Sequence, residues 1–130
     1  MGIRAALICA LSLGAATSAW ADPVTLLCHG NLVEFSKPST KLGATTVSID
    51  IENGIIKSPL GDFAITRVTD NSLVFSHPTK TGVADGNIDR VSGSMTIFWL
   101  TPEQKAASKK GPFKYEMYAS LECAPAKRMF

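Results

Sequence analysis

Phe113-Lys114-Tyr115-Glu116-Met117-Tyr118-Ala119-Ser120-Leu121-Glu122-Cys123 is the stretch that decides the fold. Tyr115, Met117, Ala119, Leu121 and Cys123 fall on one side of a two-residue period. Lys114, Glu116, Tyr118, Ser120 and Glu122 fall on the other. That alternation marks a strand with one face on a core and one face in water. The strand ends in a cysteine whose expected partner is Cys28, near the start of the exported chain. The third cysteine, Cys9, lies inside an apolar leader and is lost with it. An even pair in a small exported domain reads as a disulfide, Cys28–Cys123. There is no Cys-x-x-Cys and no cluster of ligand residues, so neither a metal site nor a cofactor is expected.

The leader carries its own signature. Arg4 is the basic start, residues 5–16 are apolar, and Ala19-Trp20-Ala21 places small residues at −3 and −1 of a cut before Asp22. Cys9 follows Ile8, where a lipoprotein signal would need a small residue. The expected organisation is a signal peptide over residues 1–21, forming a lone apolar helix, and one domain over residues 22–130. The apolar run is short for a span, and no transmembrane segment is expected in the mature chain. The formal net charge is +2, one unit of it from Arg4. Nucleic acid is therefore not an expected partner, since phosphate binding needs a clustered basic surface.

Along the mature chain, Val24, Leu26 and Cys28 alternate before a bend or bulge at Gly30-Asn31. Residues 36–44, with Pro38 and Gly43, read as a loop. Val47, Ile49 and Ile51 alternate with polar neighbours, and Asn53-Gly54 suits a two-residue type I′ turn into Ile55. Phe63 and Ile65, then Leu73 and Phe75, mark further strands on either side of Asp70-Asn71. Residues 77–86 read as a longer loop. Residues 87–91 and 94–100 form a hairpin across Ser92-Gly93, and the second of these strands suits burial on both faces. Thr101, Pro102 and Gly111 bracket the one helical candidate. The tail ends in Met129-Phe130, placed to fold back onto the body. The fold class is all-β: an antiparallel meander barrel or sandwich of about eight short strands with one short helical loop. Phe63, Phe75, Trp99 and Tyr115 are expected inside, leaving little room for a ligand.

His29 and His77 are the only histidines, and the sequence reads them as surface or turn residues. No nucleophile elbow surrounds a serine, so an enzyme is not expected. Asp89 and Arg90 are expected to form a local pair that fixes the hairpin register. Lys105, Lys109, Lys110 and Lys114 form a basic cluster around the helical loop, the first place to look for a contact with an envelope protein or anionic polymer.

At Ile88-Asp89-Arg90-Val91-Ser92-Gly93 and at Cys123-Ala124-Pro125-Ala126-Lys127-Arg128-Met129-Phe130, the chain resembles a group of small, uncharacterised exported proteins of alpha-proteobacteria. They share a signal peptide, an early Cys-x-Gly (here Cys28-His29-Gly30), an I-D-R-x-[ST]-G hairpin and a basic, Phe-terminated ending. The resemblance implies a Gram-negative periplasmic setting and a β-rich fold. It implies no activity and carries over no functional residue. The expected function is a non-enzymatic periplasmic binding or interaction domain. The alternative is a small β-barrel inhibitor of an envelope-directed enzyme such as lysozyme, a likeness of build only.

Overall fold

The computed structural model describes residues 23–111 and 114–126. The expected leader helix, the start of the last strand at Phe113 and the Met129-Phe130 contact lie outside these residues. Eight strands run in order: β1 (Val24–Glu34), β2 (Thr40–Asp50), β3 (Ile55–Ser58), β4 (Gly61–Val68), β5 (Ser72–Thr79), β6 (Gly82–Asp89), β7 (Ser94–Leu100) and β8 (Met117–Pro125). A short helix, α1 (Pro102–Ala107), interrupts the sequence between β7 and β8. Each strand pairs antiparallel with the next, and β8 pairs with β1, so the sheet closes into a meander barrel. Closure leaves no strand edge unpaired, and it decides barrel over sandwich.

Alternation builds the interior. Val47, Ile56, Phe63, Leu73, Phe75, Ile88, Met95, Ile97, Ala119 and Leu121 are buried, and every fully buried side chain among the described residues is apolar. Phe75 lies over Gly86, where a Cβ would run into its ring, so the glycine makes the space the aromatic occupies. Phe63 packs on Phe75 with ring centroids 4.9 Å apart. Trp99 is half-buried against this core.

The closing seam runs Leu26↔Pro125, Cys28↔Cys123, Gly30↔Leu121 and Leu32↔Ala119. Cys28 and Cys123 are directly opposite, with Cα atoms 4.1 Å apart, and they are disulfide-bonded. The bond joins the first strand to the last across 95 positions of sequence.

Several boundaries differ from the sequence expectation. Residues 40–44, expected in a loop, belong to β2. The β1–β2 register runs Cys28↔Thr45 and then Gly30↔Leu42, so the extra residue of the bulge sits on β2 beside Gly43 rather than at Gly30-Asn31. The β2–β3 connection is four residues long, with a left-handed φ at Gly54 alone, not a two-residue type I′ turn. Asp50 captures it, accepting from the Asn53 backbone N–H at 3.0 Å and the Asn53 side-chain amide at 2.8 Å. Residues 77–86 are not a loop: β5 reaches Thr79 and β6 starts at Gly82. Gly82 is required there because a Cβ would strike the Leu100 carbonyl on β7. In β7, Met95 and Ile97 are buried inside, while Leu100 is buried next to Thr101, where α1 begins.

Candidate functional site

Each sequence-derived candidate has a defined place. His29 lies on β1 opposite Glu122, and His77 lies on β5 with its ring edge-on to Phe63. They are on different walls and do not form a pair. Among the described residues, no group of three His, Cys, Asp or Glu side chains is arranged to hold a metal ion.

Asp89 and Arg90 do not pair with each other. Asp89 Oδ1 accepts from the backbone N–H of Val91 at 2.8 Å and of Ser92 at 3.0 Å, closing its own turn. Arg90 Nη1 donates instead to the Thr69 carbonyl at 2.7 Å, tying the β6–β7 hairpin to the β4–β5 turn. The turn geometry supplies backbone donors to the carboxylate before the guanidinium can reach it.

The basic cluster is divided. Lys105 is ion-paired to Asp85 on β6, and Asp85 also accepts from Ser76 Oγ at 2.7 Å. This clip fastens α1 to the outer wall and commits Lys105. The helix is started by Thr101, whose side chain accepts from the Gln104 N–H while Gln104 Oε1 accepts from the Thr101 N–H. Lys109 and Lys110 are exposed in the turn that follows. Lys114 lies elsewhere, lining a groove with Val33, Phe35, Lys37, Gln104 and Tyr115.

That groove adjoins a feature the sequence reading missed. Tyr115 is outside the barrel, not in its core. The alternation of β8 begins only at Met117, so it does not extend to Tyr115. Its ring lies 5.5 Å from Phe98 and 5.7 Å from Tyr118, and Phe98 and Tyr118 stack at 5.2 Å on the outward faces of β7 and β8. Phe35, at the β1–β2 hairpin tip, is 78% exposed. Part of the signal was present in the sequence: Tyr118 stands at a water-facing position of an alternating pattern. Beside Phe35, Ser36 adopts φ 62°, a left-handed backbone that a residue with a side chain rarely takes.

A second concavity lies at the barrel end that holds the β2–β3, β4–β5 and β6–β7 turns. It is a cup of about 460 Å³ lined by Val24, Leu26, Ile51, Leu73, Ile88 and Val91, with Asp89 and Arg90 on its rim.

The two turn-closing carboxylates make stability pH-dependent. Backbone donation from Ser92 and then Val91 holds Asp89 below its ordinary carboxylate value. The side chain and then the backbone N–H of Asn53 do the same for Asp50. A carboxyl depressed in the folded state stabilises above its unfolded value, and that contribution is lost as pH falls through the folded value. Urea midpoints at pH 7 and pH 3 should therefore converge in the Asp50→Ala/Asp89→Ala variant relative to the parent chain. An undiminished acid sensitivity would assign it to other groups.

Compared with protein-family models, curated proteins and solved structures, the chain matches none.

Proposed function

We propose that this chain is a non-enzymatic binding domain of the bacterial periplasm, exported by the leader at residues 1–21. The observation that carries this reading is the aromatic wall of Phe98, Tyr118, Tyr115 and Phe35 on the outside of a barrel that already has a filled core. Phe35 is exposed and the other three are half-buried against one another; outward-facing aromatics favour a partner surface, because they bury large area at low entropy cost. Lys114, in the groove with Phe35 and Tyr115, adds positive charge beside the wall, and Lys109 and Lys110 are exposed in the turn after α1, which suits an envelope protein or an anionic polymer. The disulfide between β1 and β8 is consistent with an oxidising compartment.

The test compares the parent chain with Phe35→Ser/Tyr118→Ser on purified cell-wall sacculi and on defined envelope proteins. The expected result is retention by the parent, and loss by a variant whose unfolding free energy moves by no more than about 1 kcal/mol. Equal behaviour of the two chains would remove the aromatic wall as the contact surface. Intact mass from the periplasmic fraction should begin at Asp22; a retained leader would contradict export by cleavage.

A second reading, inhibition of an envelope-directed enzyme such as lysozyme, rests on the hairpin tip Phe35-Ser36-Lys37. Strained backbone at an exposed tip often serves a function, and Lys37 projects there in an exposed pair with Glu34. Inhibition that disappears in Lys37→Ala supports this reading, and no inhibition at high excess removes it.

A further inference from the structure

We propose that the cup at the turn-bearing end of the barrel binds a single-chain anionic amphiphile of the fatty-acid class, with its carboxylate on Arg90. Among the described residues the middle of the barrel is packed with buried apolar side chains, so interior space lies toward the ends. Here a concavity sits over the end of the core: Leu73 and Ile88, themselves buried, form its floor, and Val24 and Val91 stand on its wall. Val91 is 81% exposed although apolar, and Val24 is 48% exposed. At about 460 Å³ the cup falls within the roughly 300–1,000 Å³ of small-molecule sites, which occur in the mouths of β-barrels.

Charge on the rim selects the head group. Among the described residues the Arg90 side chain makes one hydrogen bond, Nη1 to the Thr69 carbonyl. That leaves most of its N–H donors for a ligand, and a guanidinium fork matches a carboxylate in both spacing and charge. Asp89, its neighbour on the rim, has Oδ1 engaged by the Val91 and Ser92 N–H groups. Glu52 and Asp70 belong to neighbouring turns and do not line the cup. The rim therefore carries one anion, tied into its own turn, and one cation with free donors; the apolar floor and that free guanidinium suit an apolar chain ending in an anion.

Titration calorimetry of the purified protein with decanoate and with 1-decanol separates head group from chain. Decanoate is expected to bind with unit stoichiometry and more tightly than decanol. Arg90→Gln should weaken decanoate by about ten- to a hundredfold, the effect of one charge-assisted hydrogen-bonded contact. It should leave decanol within about twofold, since the apolar contacts are untouched. Val24→Asp, at an exposed position, should abolish decanoate binding with an unchanged circular dichroism spectrum. Equal binding of the two ligands, unaltered in Arg90→Gln, would overturn the proposal, as would binding of neither. A chain ending at Ala126 that binds decanoate when the full chain does not would assign the cup to the protein's own last residues, and that too would overturn it.

Discussion

Replacing Cys28 and Cys123 together by alanine should lower the unfolding free energy by about 3–5 kcal/mol, measured by urea unfolding under oxidising conditions. The bridge closes a loop of 95 positions, near the long end of the range over which a cross-link restricts an unfolded chain. Its ends are the first and last strands, so it holds together the one pairing whose partners are farthest apart in sequence. Every other ladder joins strands that are consecutive along the chain, and their turns keep them close. Two outcomes separate chain restriction from lost contacts. Reducing the parent chain with dithiothreitol should reproduce most of the loss, because it removes the cross-link and keeps both side chains. The urea dependence should also steepen, as a chain without the bridge expands further on unfolding. A loss below about 1 kcal/mol would mean that the seam holds without its bridge.

The second large effect is expected at the same seam. Gly30→Ala should cost about 2–3 kcal/mol, the upper part of the usual range for overpacking. A Cβ at Gly30 would be driven into the Ser120 backbone carbonyl on β8, and neither backbone can yield without opening the β1–β8 ladder. Gly43→Ala is the internal control. It lies at the β2 bulge with nothing within 4 Å of its Cβ position, and should stay within about 0.5 kcal/mol. Gly30 sits two residues from Cys28, so the glycine and disulfide variants should not be additive. The combined loss should fall short of the sum if both act by opening one seam. Comparable losses for Gly30→Ala and Gly43→Ala would mean that backbone freedom, not close strand approach, explains both glycines.

The sequence was legible where side-chain alternation and chain ends carried the information. Ala119, Leu121 and Cys123 face inward as their period requires, and the Cys28–Cys123 bridge joins the two cysteines outside the apolar leader, as expected. Thr101 and Pro102 announced α1 correctly. What failed were inferences from breakers. Pro78, Gly82 and Gly86 looked like a loop, but Gly82 and Gly86 are glycines because Leu100 and Phe75 come too close for a side chain. Gly43 looked like a loop residue and marks a bulge instead. Such reasons depend on neighbours distant in the chain, and no local window contains them.

The candidate sites were less legible for the same reason. Asp89 and Arg90 were expected to pair with each other, but their partners lie within the turn for one and on the neighbouring hairpin for the other. The four lysines are close in sequence, yet the helix turns Lys105 onto Asp85 while Lys114 reaches the groove near Phe35. Tyr115 obeyed the period of a strand that had not yet begun. The outer aromatic wall needs Phe98 and Tyr118 to be cross-strand neighbours, a fact set by the β7–β8 register.

β1 and β8 pair and close the barrel, and the whole fold depends on that seam. Directly opposed residues alternate between hydrogen-bonded and close non-hydrogen-bonded pairs. The close approach of Cys28 and Cys123 therefore places Gly30 with Leu121, and Leu32 with Ala119, in the close class. Two-dimensional nuclear Overhauser spectra of the oxidised protein should show Hα–Hα cross-peaks for Leu32–Ala119 and Gly30–Leu121. Their absence, with those between consecutive strands intact, would mean an open sheet with β1 and β8 as free edges.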